Sequence, residues 1–160
     1  MIIISDTSPV VALQHLKLLY LLEQLFYQVI IPEAVHKELI ENKIVDDNFF
    51  NTTSFIQIKT VINKGFVSEL KEFLDDGESE AIALSVELKP EFLLIDEAYG
   101  RDIAKRYNIQ TKGVLGILVL AKEKGYISQI KILIDILRVE IKFRVSDDLY
   151  FKILKQVNEL

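Results

Sequence analysis

Met1-Ile2-Ile3-Ile4-Ser5-Asp6-Thr7-Ser8-Pro9 is the stretch that decides the fold. A short apolar run ends abruptly at Ser5-Asp6, so Ile2–Ser5 reads as a buried strand. A secretory leader would need a basic segment and a longer apolar stretch, and neither is present here. Ser8-Pro9 then opens a helix, with serine as cap and proline in the first turn. The chain therefore begins as strand, acid, helix.

The same alternation continues. Val29–Ile31, Phe55–Thr60, Phe92–Ile95 and Asn108–Thr111 read as further strands. Helical patterns fill the gaps: about Leu16 to Phe26, Pro32 to Asn42, Val67–Leu74, Glu78–Leu88, Ala98–Tyr107, Gly113–Lys124 and Ser128–Ile141, with Ser146 capping a last helix. Asp75-Asp76-Gly77 reads as a break between two of them, and Ile44–Thr53 as a short helix plus loop. Short apolar strands between helices predict an α/β fold with a parallel sheet covered on both faces. With no internal repeat or Pro/Gly/Ser-rich linker, residues 1–160 are expected to form one domain.

Composition excludes several classes. Half of the residues are apolar (50%), too many for a disordered or low-complexity chain. Absence of cysteine removes disulfide frameworks and thiolate zinc sites, and agrees with a cytoplasmic location. The longest later apolar run, Val114 to Ala121, contains Gly116 and falls far short of a membrane span. A net charge of -5 argues against a basic, sequence-independent nucleic-acid binder. It leaves room for a nuclease whose clustered acids are neutralised by cations.

Four acids stand out. Asp6 and Asp96 follow the first and fourth strands, and ligands of open parallel sheets bind beyond the carboxyl ends of strands. If those strands are neighbours, the two aspartates share a crevice. Glu38 and Glu80 lie on partly apolar helix faces, where an unpaired charge is costly. Each also has an ordinary explanation, as a helix cap, a dipole partner or a solvated charge. A shared Mg²⁺ or Mn²⁺ would partner all four and would suit phosphodiester hydrolysis, since Mg²⁺ takes oxygen ligands and keeps waters. His15 and His36 sit on separate helices, and no serine or cysteine nucleophile pairs with either.

These motifs resemble those of PIN domains. Ile3-Ile4-Ser5-Asp6-Thr7-Ser8-Pro9 is similar to the family's opening motif, and Ile30 to Leu39 to its second, with Glu38 as the acid. Asp76-Gly77-Glu78-Ser79-Glu80-Ala81-Ile82-Ala83-Leu84 and Leu93-Leu94-Ile95-Asp96-Glu97 resemble the third and fourth. The resemblance runs on to Phe143-Arg144-Val145-Ser146-Asp147-Asp148-Leu149-Tyr150. It implies a five-stranded parallel sheet in the order 3-2-1-4-5, a metal-dependent ribonuclease site and a tendency to form homodimers. By motif, Asp6, Glu38, Glu80 and Asp96 are the catalytic, metal-binding acids, with Thr7 and Ser8 in support. Small antitoxin-like proteins accompany some similar sequences, so the implied partners are RNA and an antitoxin, with no membrane.

Two departures bear on activity: Glu80 stands where many relatives carry aspartate, and Val114 where similar sequences often carry threonine. Arg101, Lys105 and Arg106, on the helix after Asp96, are candidates for phosphate contacts or simply solvated charges. The helix from Ser128 is apolar on two sides, one through Ile130, Leu133, Ile134, Leu137 and Ile141, the other through Ile132, Ile136 and Val139. It is either buried in the domain or covered by a partner. The main rival to a toxin-type endoribonuclease is a catalytically weak PIN-like domain that binds RNA or protein. A response-regulator-like phosphate acceptor would want adjacent acids after the first strand, and Asp6 stands alone.

Overall fold

The apolar run after Met1 becomes the central strand of the sheet. In the computed structural model, which describes residues 1–160, β1 is Ile3–Ser5, β2 Val29–Pro32, β3 Ile56–Lys59, β4 Phe92–Leu94 and β5 Thr111–Lys112. All pair in parallel in the order β3-β2-β1-β4-β5, the order implied by the PIN resemblance. Between them run α1 (Thr7–His15), α2 (Tyr20–Phe26), α3 (Glu33–Glu41), α4 (Phe49–Thr52), α5 (Lys64–Leu70), α6 (Asp76–Leu88), α7 (Ala98–Arg106), α8 (Val114–Glu123), α9 (Lys131–Glu140) and α10 (Asp147–Gln156).

Strand alternation sorts the core into two layers. Ile3, Val29, Ile31 and Leu94 face one apolar cluster, shared with Leu13 of α1, Leu118 of α8 and Leu137 of α9. Their neighbours Ile4, Ile30 and Leu93 face the other, built with α5, α6 and α7. Successive strand side chains point to opposite faces, so a strand covered on both sides must be apolar throughout. Ile3, Ile4, Leu93 and Leu94 are indeed wholly buried.

Several boundaries differ from the sequence expectation, each for a local reason. α1 begins at Thr7, with Asp6 in the cap position, so Ser8 lies inside the first turn. α6 begins at Asp76, because Asp75 accepts from Glu78 N–H and Glu78 reaches back to the Asp75 N–H. This capping box makes Asp76-Gly77 the start of the helix instead of a break before it. Ser146 caps α10 as expected, accepting from Leu149 N–H.

On α9, Ile134 and Leu137 are fully buried, whereas Ile132 and Val139 are 59% and 71% exposed. One of its two apolar stripes is therefore packed and the other lies largely open. Near the end of the chain, Glu159 accepts from the N–H groups of Ile130 and Lys131 and from Lys122 Nζ at 2.8 Å, tying the start of α9 to α8. No helix is long and apolar enough to cross a membrane.

Candidate metal centre

Beyond the carboxyl ends of β1 and β4, the chain places acids where several helices begin. The Asp6 N–H donates to Leu94 O at 2.9 Å, extending the β1–β4 ladder by one step. That bond fixes the Asp6 backbone at the rim of the sheet, with its side chain only 4% exposed. Burial pushes the carboxyl well above its usual range, and the neighbouring charges of Glu78, Asp75 and Glu38 push it further. A hydrogen bond with the Thr7 backbone opposes the shift.

Glu38 arrives from α3. The Thr7 hydroxyl donates to its Oε2, and the Gly77 N–H donates to its Oε1 at 3.1 Å. A β-carbon on Gly77 would stand 2.8 Å from Glu38 Oε1 and 3.2 Å from Asp6 Oδ1, so glycine is what lets these two carboxylates approach the start of α6. Burial again raises the Glu38 carboxyl, and the bonds from Thr7 and Gly77 counter part of it.

Asp96 is held differently. Its Oδ1 accepts the Val114 N–H at 2.8 Å, so it caps α8 and not the helix that follows it in sequence. Its Oδ2 is buried and has no hydrogen-bond partner. Burial raises this carboxyl to about 6, against the pull of the Val114 N–H and the nearby Arg101 guanidinium. Val114 thus serves the site through its backbone, while its side chain lies in the apolar core.

Glu80 does not join this group in the same way. Its Oε1 accepts the Ala34 N–H at 3.1 Å, at the start of α3. The acid of α6 that is buried is Glu78, 8% exposed, with a carboxyl raised to about 7 by burial first and by Asp75 next. Gly100 makes room for it, since a β-carbon there would stand 2.7 Å from Glu78 Oε2. The signal for Glu78 was present in the sequence as the Asp75-Asp76-Gly77-Glu78 capping spacing. Ser8 is half-buried in the first turn of α1 and forms no bond to these acids.

No three Asp, Glu or His side chains converge tightly enough to hold one ion as they stand. A depression of about 470 Å³ lined by Met1, Phe26, Tyr27 and Phe55 contains none of these acids. Oxygen donors, a partnerless buried carboxylate oxygen and mutually repelling acids nevertheless fit a hard cation. Mg²⁺ is commonly held by one or two carboxylates with the rest of its shell water.

A family model, DUF3368, described as a PIN domain, matches residues 2–159. The chain belongs to the PIN-domain family. No curated protein matches it. Among solved structures it is similar to a PilT N-terminus domain protein, SSO1118, from the hyperthermophilic archaeon Sulfolobus solfataricus P2. That match has a TM-score of 0.57 at 18% identity, covering 77% of this chain and 95% of the other. At that identity the likeness supports the PIN fold alone. The PIN family includes metal-dependent nucleases, and its members typically use divalent ions.

Proposed function

We propose that this PIN domain is a Mg²⁺- or Mn²⁺-dependent endoribonuclease, the toxin of a toxin–antitoxin pair, acting in the cytoplasm. The observation that carries the reading is the buried, partnerless Asp96 Oδ2 beyond the same sheet edge as the buried Asp6. Leaving a buried carboxylate oxygen unsatisfied is costly, and a cation is the partner that also relieves the repulsion around Asp6. Asp6, Glu38, Glu78 and Asp96 are the acids we assign to its site, directly or through the waters the ion keeps. When bound, the ion polarises a phosphoryl oxygen and makes a water nucleophilic near neutral pH.

The chain's own residues supply the rest. Thr7 and the Gly77 N–H orient Glu38, and the Val114 N–H orients Asp96. Arg101, close to Asp96, is the side chain we assign to a substrate phosphate. RNA as substrate is supported by a groove between α5 and α7, lined by Phe73, Tyr99, Tyr107 and Arg106. Phe73 and Tyr99 are 64% and 51% exposed, and such rings stack on unpaired bases. The open stripe of Ile132 and Val139 on α9 supports a surface for an antitoxin or a second copy of the chain.

The test incubates wild type and Asp96→Asn with mixed cellular RNA in Mg²⁺ or Mn²⁺, each with an EDTA control. Cleavage by wild type alone, lost in EDTA, is the expected result. Equal cleavage by both proteins identifies a contaminant and removes the assignment. RNA bound but uncut by either protein favours the second reading, a binding domain, which the lack of a converged three-acid cluster supports.

A further inference from the structure

Helices α3 and α6 each lend the other a glutamate. α3 starts after Pro32, whose ring offers no acceptor for the free N–H groups of the first turn, and no side chain caps it locally. The N–H of Ala34, the second residue of α3, is instead taken by Glu80 Oε1 of α6 at 3.1 Å. In return, the N–H of Gly77, the second residue of α6, donates to Glu38 Oε1 of α3, also at 3.1 Å. The two helix starts are thus clasped by a reciprocal pair of charge-assisted bonds.

Ala34 and Glu38 are four residues apart and share one face of α3. Fixing the first therefore fixes the angle at which the second is presented. Glu78, by contrast, is buried against Gly100 and is among the charges crowding Asp6. Two glutamates two positions apart on one helix face different surroundings, one toward the acids and one toward a neighbouring helix.

We infer that Glu80 is a positioning residue, which sets Glu38 through the Ala34 N–H, and that Glu78 is the acid of α6 that serves the metal. This rests on the metal-centre reading, and the measurements below separate the failure of one from the failure of the other.

The experiment compares wild type with Glu80→Ala, Glu80→Gln and Glu78→Gln. Mn²⁺ affinity is read from the electron paramagnetic resonance signal of free Mn²⁺, and Ala34 amide exchange and Tm are measured in EDTA. Glutamine keeps an oxygen that accepts the Ala34 N–H but loses the charge a ligand needs. Glu80→Ala is expected to weaken Mn²⁺ binding by roughly tenfold, the low end for loss of an orienting partner. It should also speed Ala34 exchange, with Glu80→Gln restoring both. Glu78→Gln should weaken Mn²⁺ binding while leaving Ala34 protected.

Glu80→Gln binding Mn²⁺ as poorly as Glu80→Ala, with Ala34 still protected, would make Glu80 a ligand and overturn the inference. Wild type that binds no Mn²⁺ would remove the metal reading. The positioning role would then stand or fall on exchange alone, and Ala34 exchange unchanged in Glu80→Ala would end it.

Discussion

Glu38 Oε1 lies 3.1 Å from the backbone nitrogen of Gly77, and it would lie 2.8 Å from a β-carbon placed on that residue. The same absent methyl group would crowd Glu38 Oε2 at 2.9 Å and Asp6 Oδ1 at 3.2 Å. Gly77 has no unusual backbone angle. Its value here is space, and its amide can approach a glutamate only because nothing projects beside it.

Gly77→Ala should therefore cost about 1–3 kcal/mol, the usual range for forcing a group into a packed site. Helix propensity works the other way, since alanine is preferred to glycine within a helix by about 1 kcal/mol. A chemical-denaturation midpoint below that of wild type is the expected result. An unchanged or higher midpoint would mean that Glu38 swings aside freely, and that the contact does not constrain it.

Asp96→Asn should separate stability from activity. Asparagine keeps an oxygen for the Val114 N–H and removes a carboxylate whose charge burial disfavours. Tm in EDTA at neutral pH should stay level or rise, because the carboxyl is raised by burial in the folded chain. Metal-dependent cleavage should fall by more than roughly a hundredfold, beyond what loss of an outer partner causes. A lower Tm would show that Asp96 holds the fold through its charge.

The metal-free protein should lose stability as pH rises. Glu78 and Asp96 have folded-state values of about 7 and about 6, raised above the unfolded carboxylate range. Asp6 is raised in the same direction. A raised acid means that the folded chain binds protons more tightly than the unfolded one. The resulting stabilisation is complete below about pH 4 and fades as pH climbs through about 6 to 7. Tm in EDTA should fall by several degrees between mildly acidic and mildly alkaline buffer, and saturating Mg²⁺ or Mn²⁺ should flatten that slope. A Tm that climbs with pH across the same interval would contradict the sign.

Glu159→Ala should destabilise the fold without touching the acids. It removes acceptors from Ile130 N–H, Lys131 N–H and Lys122 Nζ together. Bonds to a charged group contribute about 1.5–3 kcal/mol, and about 2 kcal/mol corresponds to a Tm drop of roughly 4–8 °C for a chain of this size. Mn²⁺ affinity measured well below that temperature should match wild type.

What the sequence made legible followed from burial. Ile3-Ile4 and Leu93-Leu94 announce strands because a parallel sheet covered on both faces tolerates no polar alternation there. Asp6 and Asp96 could be placed at strand ends for the same reason. The partners of the acids were not legible, because each lies far along the chain. The ordinary alternative for Asp96, a cap on the next helix, gives way to a bond with Val114 at the start of α8, and Glu80 meets Ala34 on another helix. The burial of Glu78 was not legible either, because Asp75-Asp76-Gly77 looks like a helix break, whereas the glycine is required inside the helix by a glutamate from α3. The second apolar stripe of α9 was visible as a pattern, but only the fold separates buried Ile134 from open Val139.

The place of β1 has a consequence for how the molecule folds. Its neighbours are β2 and β4, and Ile3 pairs with Phe92, which the chain reaches only after most of its helices have been synthesised. Pairings between such distant segments close late and slowly. The step that docks β4 on β1 is also the step that brings Asp96 to the rim already occupied by Asp6. Burial of both carboxyls is therefore completed in the closing event itself, where protons or divalent ions can hasten the assembly of the native sheet.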